Sequence, residues 1–252
     1  MKWKILIVIS VLIFLSPDHL HAQQGTTLPI PNIDLNIGSS DNPEDISATL
    51  QLLLLLTVLS LAPSIMIMTT SFLRLIIVLQ FLKQALGTTQ MPPTQLLAGI
   101  AMFVTFFIMA PTITQIHDNA VKPYMDGEIQ IDSAYAKGVG PLRDFMYKNV
   151  RDEDLELFIS FSQVERPETR EDLPTYILVP SFVLSELRAG FIIGFFLFIP
   201  FLMIDMIVSS ILMSMGMMML PPMLVSLPFK ILLFILVDGW NLIVGSLVRS
   251  FA

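Results

Sequence analysis

The chain has 252 residues, of which 54% are apolar and only 14% charged, with no cysteine and a formal net charge of −7. So little charge is unusual for a soluble domain, and the lack of cysteine excludes thiolate metal sites and thiol chemistry. The charge is also segregated: 20 of the 35 charged residues lie between Asp118 and Asp172, where 13 acids and 7 bases give −6, which argues against nucleic-acid binding by that region.

In chain order, residues 1–22 have the three parts of a secretory signal: Lys2 and Lys4, an apolar stretch from Ile5 to Leu15, and a cut expected after Ala22, although Leu20 is a poor residue three positions before it. Residues 23–45 read as an extracytoplasmic linker rich in Pro, Gly, Asn and Ser. The linker ends in a helix start, with Asn42 as cap, Pro43 in the first helical position, and Glu44 and Asp45 near the positive helix end. Residues 46–116 form a first apolar hairpin, expected to bend or break near Pro63 and to resume from Pro93 to Gln115. Ile46 to Leu73 is 28 residues without a charge, against the roughly 20 needed to cross a hydrocarbon core.

Residues 117–180 form a polar insert with two short amphipathic patterns, Leu142, Phe145, Met146, Val150 and Leu155, Phe158, Ile159, both at helical spacing. Asp152, Asp154 and Glu156 lack the glycine and the terminal ligand of a calcium loop and read as solvated acids. Residues 181–252 form a second apolar hairpin, with helices over Ser181 to Met215 and Pro222 to Val248. Its uncharged run, Met206 to Phe229, is 24 residues long.

The two hairpins repeat at an offset of 129 residues, Gly87-Thr-Thr-Gln-Met-Pro-Pro93 matching Gly216-Met-Met-Met-Leu-Pro-Pro222. Glycine takes the left-handed conformation that ends a helix, and proline opens the next. Gly87, Pro92, Pro93 and Gly216, Pro221, Pro222 therefore specify two tight helix-to-helix turns. The fillings differ, since Thr-Thr-Gln suits water and Met-Met-Met does not. Eight of the sixteen methionines lie between Met203 and Met223. Flexible, polarizable thioethers there fit three roles: a deformable seal, a packed hairpin tip, or a soft Cu(I) site.

Charges inside the apolar segments are costly and need partners. Asp205 and Lys230 flank the methionine turn symmetrically, each about 18 Å from the tip at 1.5 Å per residue, which predicts a buried ion pair. Arg74 and Asp238 have no opposite charge at mirror positions, so their partners are expected in another subunit or in the other hairpin. Glu186 and Arg188 are two residues apart, do not share a helix face, and are expected to contact different neighbours near the exported boundary. No zinc spacing, phosphate-cradling loop or nucleophile elbow is found, and the three histidines, His19, His21 and His117, are not grouped for catalysis. The expectation is an all-α membrane protein, not an enzyme and without cofactor: two long helical hairpins joined by a polar, helical, extracytoplasmic insert.

The segments Ser60-Leu-Ala-Pro-Ser-Ile-Met-Ile-Met-Thr-Thr-Ser-Phe-Leu-Arg74, Ala85-Leu-Gly-Thr-Thr-Gln-Met-Pro-Pro93, Phe106-Phe-Ile-Met-Ala-Pro111, the methionine turn and Ser226-Leu-Pro-Phe-Lys-Ile-Leu-Leu-Phe-Ile-Leu-Val-Asp-Gly-Trp240 together resemble the FliP family of type III protein export gates. The resemblance covers roughly residues 45–252 and favours the flagellar branch over the equivalent subunit of virulence-type secretion systems. It implies several copies of the chain assembled with FliQ and FliR at the centre of the flagellar basal body in the inner membrane, passing unfolded proteins, with much of the helical material raised toward the periplasmic side. It further implies a pore constriction at Met217, Met218 and Met219 and an intramembrane pair at Asp205 and Lys230. The energy source implied is an associated ATPase and the proton gradient. Two other classes remain open on the residues: a Met-rich copper transporter and a non-conducting assembly scaffold.

Overall fold

The computed structural model describes residues 43–88, 91–162, 169, 172–217 and 219–251. The signal and linker expectations for residues 1–42, including the Asn42 cap, fall outside the described residues. Among those described there are helices and no strands, and the chain is an all-α membrane protein. The helices are α1 (Pro43–Thr69), α2 (Phe72–Ala85), α3 (Thr94–Ile116), a π-helical turn (His117–Val121) leading into α4 (Lys122–Met125), α5 (Ile131–Asn149), α6 (Asp152–Phe161), α7 (Thr175–Ser214), α8 (Pro222–Leu236) and α9 (Gly239–Arg249).

Three stretches are long and apolar enough to cross a membrane: Leu50–Thr69, Thr94–Met125 and Thr175–Ser214. A fourth is the pair α8 and α9, bent by 62°. Between Leu50 and Met68 nearly every residue is exposed, with no polar face, so lipid or apolar protein must surround this helix.

Three boundaries differ from the sequence expectations. First, α1 runs through Pro63 and breaks after Thr69 instead. There Thr69 and Thr70 hydroxyls donate to the carbonyls of Ile65 and Met66 at 2.9 and 2.7 Å, so the carbonyls freed at the helix end are satisfied locally. Second, the helix of the first hairpin does not stop at Gln115 but continues through the π turn to Met125, and α7 starts at Thr175, six residues before the expected Ser181. Both expected insert boundaries, at residues 117 and 180, therefore fall within helical structure. Third, the last helix is two: Asp238 sits in the left-handed region at φ 50, a conformation that aspartate tolerates, and it ends α8.

The core of the unit from Leu53 onward is built on α2 and α7. Leu75, Val78, Leu79 and Leu82 on α2 are sealed, and Gly190 and Gly194 on α7 let the two helices close in. A Cβ at Gly194 would lie 2.6 Å from the Phe81 ring, and one at Gly190 would lie 3.0 Å from Ile77. This is the small-xxx-small spacing by which helices approach in apolar surroundings. The insert makes a second cluster, where Phe145, Met146, Phe158 and Ile159 from the two amphipathic patterns pack on Ile177, Leu178 and Phe182 of α7.

Candidate functional site

The second hairpin turn is closed by backbone geometry. Gly216 has φ 73, its N–H donates to Met213 O at 3.0 Å, and Met217 N–H donates to Leu212 O at 3.0 Å, the double bond that caps a helix through a left-handed glycine. Gly87, at φ 74 with its N–H on Gln84 O at 3.0 Å, repeats this in the first hairpin. Pro92 and Pro93 immediately precede α3, Met91–Pro92 being cis, while Pro221 caps α8 and Pro222 opens it. The left-handed glycine thus repeats, while the prolines fall one position apart relative to the helix start and the side chains diverge. Met219 is 99% exposed and Met217 41%, with Met213, Met215, Leu220 and Met223 also exposed, so the tip presents thioethers outward and Met219 packs on nothing in the protomer. Met218 lies outside the described residues.

About three helical turns away from the tip stands a buried cation. Lys230 on α8 is sealed, its side chain only 2% exposed. Its Nζ donates to Asp205 Oδ2 on α7 at 2.6 Å and to the carbonyl of Ala85 at the end of α2 at 3.0 Å. Ser226 Oγ completes Asp205 by donating to Oδ1 at 2.5 Å. A lysine at a helix C-terminus meets the negative end of the helix dipole, so Lys230 is held by a carboxylate and by a helix end at once. Gly87 lies beside this node, since a Cβ there would be in ordinary contact with Lys230 Nζ at 3.5 Å and Met223 at 3.6 Å. One side chain therefore ties both hairpins together beside their turns. Ser226 lies four residues before Lys230, one helical turn away, and that spacing was the available signal for it. Nothing local to Ala85 announces its carbonyl as an acceptor.

A second buried cation lies nearer the insert. Arg74 on α2 grips Glu186 on α7 with both arms of its fork, Nε to Oε2 at 2.8 Å and Nη2 to Oε1 at 2.5 Å, and Glu186 is fully buried. Its remaining nitrogen, Nη1, donates to the backbone O and the Oγ of Ser250 at 3.0 and 2.9 Å. Its flat face lies 3.7 Å from the Phe251 ring centroid. A planar, bidentate and stacked cation of this kind could not be replaced by lysine on equal terms. The structure thus takes Arg74 to the second hairpin and separates it from Arg188.

Arg188, with its side chain 46% exposed, reaches Asp154 Oδ1 at 3.0 Å. Asp154 also accepts from Ser185 Oγ at 2.9 Å, and that hydroxyl accepts the Arg151 N–H at 3.0 Å. Asp154 is 2% exposed, which corrects its reading as a solvated acid: its two partners, Arg188 and Ser185, satisfy the buried carboxylate and dock α6 on α7. The helical spacing that marked Leu155 and Phe158 gives no means of telling which acid of the run turns inward. Asp238, at the bend between α8 and α9, is exposed and accepts from Asn241 Nδ2 at 3.2 Å. Among the described residues no group of three or more His, Asp or Glu side chains is placed to hold a metal ion.

Comparison with known proteins places these features in a common frame. The model of the FliP family matches residues 55–247. The flagellar biosynthetic protein FliP of Bacillus subtilis (strain 168) is 55% identical over 217 residues, covering 86% of this chain and 98% of the relative. The protein of that name from Treponema denticola is 50% identical over 224 residues, covering 88% of this chain and 83% of the relative. The one from Borreliella burgdorferi is 44% identical over 246 residues, covering 96% and 95%.

Proposed function

The chain belongs to the FliP family, and from that membership we propose that it is a core subunit of the flagellar protein export apparatus. Several copies assemble with FliQ and FliR in the inner membrane, at the flagellar basal body, around a passage for unfolded flagellar proteins. In this reading residues 1–22 are a signal peptide that is removed, and residues 117–180 stand on the exported side. The chain supplies a conduit and no chemistry; the drive comes from associated components of the apparatus.

The observation that carries this reading is the methionine turn. A rigid glycine-capped hairpin holds Met217 and Met219 out of the fold, in a stretch from Met206 to Phe229 that contains no charge. An exposed apolar tip with nothing to cover it marks a contact surface. Unbranched thioethers re-pack around objects of different shape at little cost, which a seal around a moving polypeptide requires and a fixed interface does not. Met217, Met218 and Met219 from several copies would ring the passage, closing it to ions when idle. The Lys230 node would fix the depth of that ring, because it ties the turn of one hairpin to the helix end of the other.

The test is ionic conductance of membranes carrying the assembled apparatus. Replacing Met217, Met218 and Met219 with alanine should leave assembly with FliQ and FliR intact, as read by native mass spectrometry of the gently extracted complex, and make the passage leak. Intact assembly with unchanged conductance would remove the seal and favour a scaffold. Stoichiometric Cu(I) on the purified chain would reassign the methionines as ligands.

A further inference from the structure

Ser250 and Phe251 are captured by the rest of the fold. Phe251 is 7% exposed, held between the Arg74 guanidinium at 3.7 Å and the Phe145 ring of the insert, which is nearly parallel to it at 18° with centroids 6.0 Å apart. Ser250 gives both its backbone O and its Oγ to Arg74 Nη1. Arg74 is itself immobilised by the buried Glu186, so α2, α5 and α7 all contribute to one receptor for residues 250 and 251. Cation–π and charge-assisted bonds of this kind gain strength where water is excluded.

The helix that leads to this receptor packs on the core along one face only. Of α9 only Gly239, Ile243 and Leu247 are buried, while Asn241, Leu242, Ser246 and Arg249 are exposed. At its start the chain turns through the left-handed Asp238, and Gly239 follows with no room for a side chain, since a Cβ would lie 2.2 Å from the Phe234 ring. Beside α9 lies a half-open apolar groove of about 520 Å³, walled by Val78 of α2, Phe201 of α7, Phe234 of α8 and Leu247 of α9 and rimmed by the exposed Phe196 and Leu242. A helix fixed at both ends along such a groove, with a sharp pivot at one of them, has the parts of a strap.

We propose that α9 is a hinged strap, pivoting at Val237–Asp238 and latched by the capture of Ser250 and Phe251 on Arg74 and Phe145, and that releasing the latch deepens the apolar groove to its closed floor at Val78. Lys230 lies on the other side of the pivot, on α8, so unlatching leaves the methionine turn and its ion pair in place. The inference concerns this chain's own motion and holds whether or not the turn is a seal.

The test uses the full-length protein in membranes and exploits the lack of native cysteine. A single V78C substitution puts a thiol in the floor of the groove, at a residue with no exposure in the latched state. Adding F251A should speed labelling of V78C by an apolar maleimide on the order of tenfold and raise amide exchange in α9 by a similar factor, with α6 unchanged. R74K should do the same, since lysine keeps the charge but loses the fork and the flat face, whereas F251Y should behave as the parent. If F251A fails to accumulate, F251L decides, because it keeps an apolar side chain and removes only the ring. Parent-like labelling and exchange in F251A or F251L would overturn the latch, as would an equal rise in α6, which would signal general loosening.

Discussion

Two buried cations meet α7 nineteen residues apart, about 28 Å along the helix, and both are built from the same parts. Each has a carboxylate from α7, Asp205 or Glu186, and a backbone carbonyl from another element, Ala85 or Ser250. They differ in which member is sealed. At the methionine end Lys230 is closed off and Asp205 is 30% exposed, whereas at the insert end Glu186 has no exposure and Arg74 retains 8%. Breaking a buried pair is costly chiefly because of the ion left behind, so the sealed member sets the cost of losing its partner. The two nodes should therefore answer to opposite deletions.

The largest effect is expected from Arg74→Ala, which strands Glu186 without solvent and frees residues 250 and 251. It should cost about 3–5 kcal/mol, read as loss of folded protein in membranes or of thermal stability in detergent. Glu186→Ala should cost less, because Arg74 keeps Ser250 and Phe251; the reverse order would mean that Arg74 is the sealed ion. At the other node Asp205→Ala should exceed Lys230→Ala, since it leaves Lys230 with only the Ala85 carbonyl. Equal losses for the two variants would show that water reaches Lys230. Exchanging the charges between positions 205 and 230 should partly restore assembly lost in Asp205→Ala, and no restoration would count against the direct pair.

Between the nodes, Gly194→Ala should cost about 1–3 kcal/mol by forcing Phe81 aside, with a smaller loss for Gly190→Ala, both measured by thermal unfolding. An indifferent Gly194→Ala would place the fixed spacing of α2 and α7 in the ion nodes alone. The smallest effect on folding belongs to Met219→Ala, within about 0.5 kcal/mol, because an exposed side chain without neighbours has no packing to lose. A larger change would mean that the tip is packed in the assembly and is not a free surface.

The difference between the nodes also shows why one could be read in the sequence and the other could not. Asp205 and Lys230 are linked by a hairpin whose turn is written in Gly216, Pro221 and Pro222, so counting residues from the turn brings them to one depth. Arg74 and Glu186 are 112 residues apart across the insert, and only the packing of α2 on α7 joins them. Composition gave the all-α class and the apolar runs, and amphipathic spacing gave the helices of the insert. Breaks were harder to read: Pro63 looked like the break in the first hairpin but the break falls at Thr70 and Ser71, where threonine hydroxyls take over the carbonyls of the preceding turn. Asp238 carried no mark of a bend, because its left-handed conformation is a property of what surrounds it. Gly190 and Gly194 were visible as a spacing, yet only the facing Ile77 and Phe81 give that spacing a purpose.

The forty residues of α7 amount to about 60 Å of continuous rod, twice the depth of the oily layer of a bilayer. Even leaning at 40° it would rise through about 46 Å. Yet its uncovered residues are greasy at widely separated heights, from Tyr176 through Phe195 and Phe196 to Met213. Lipid can clothe only part of that column. The remainder stands at the headgroups or beyond them, so this one helix is a greasy column taller than the oily layer that would clothe it.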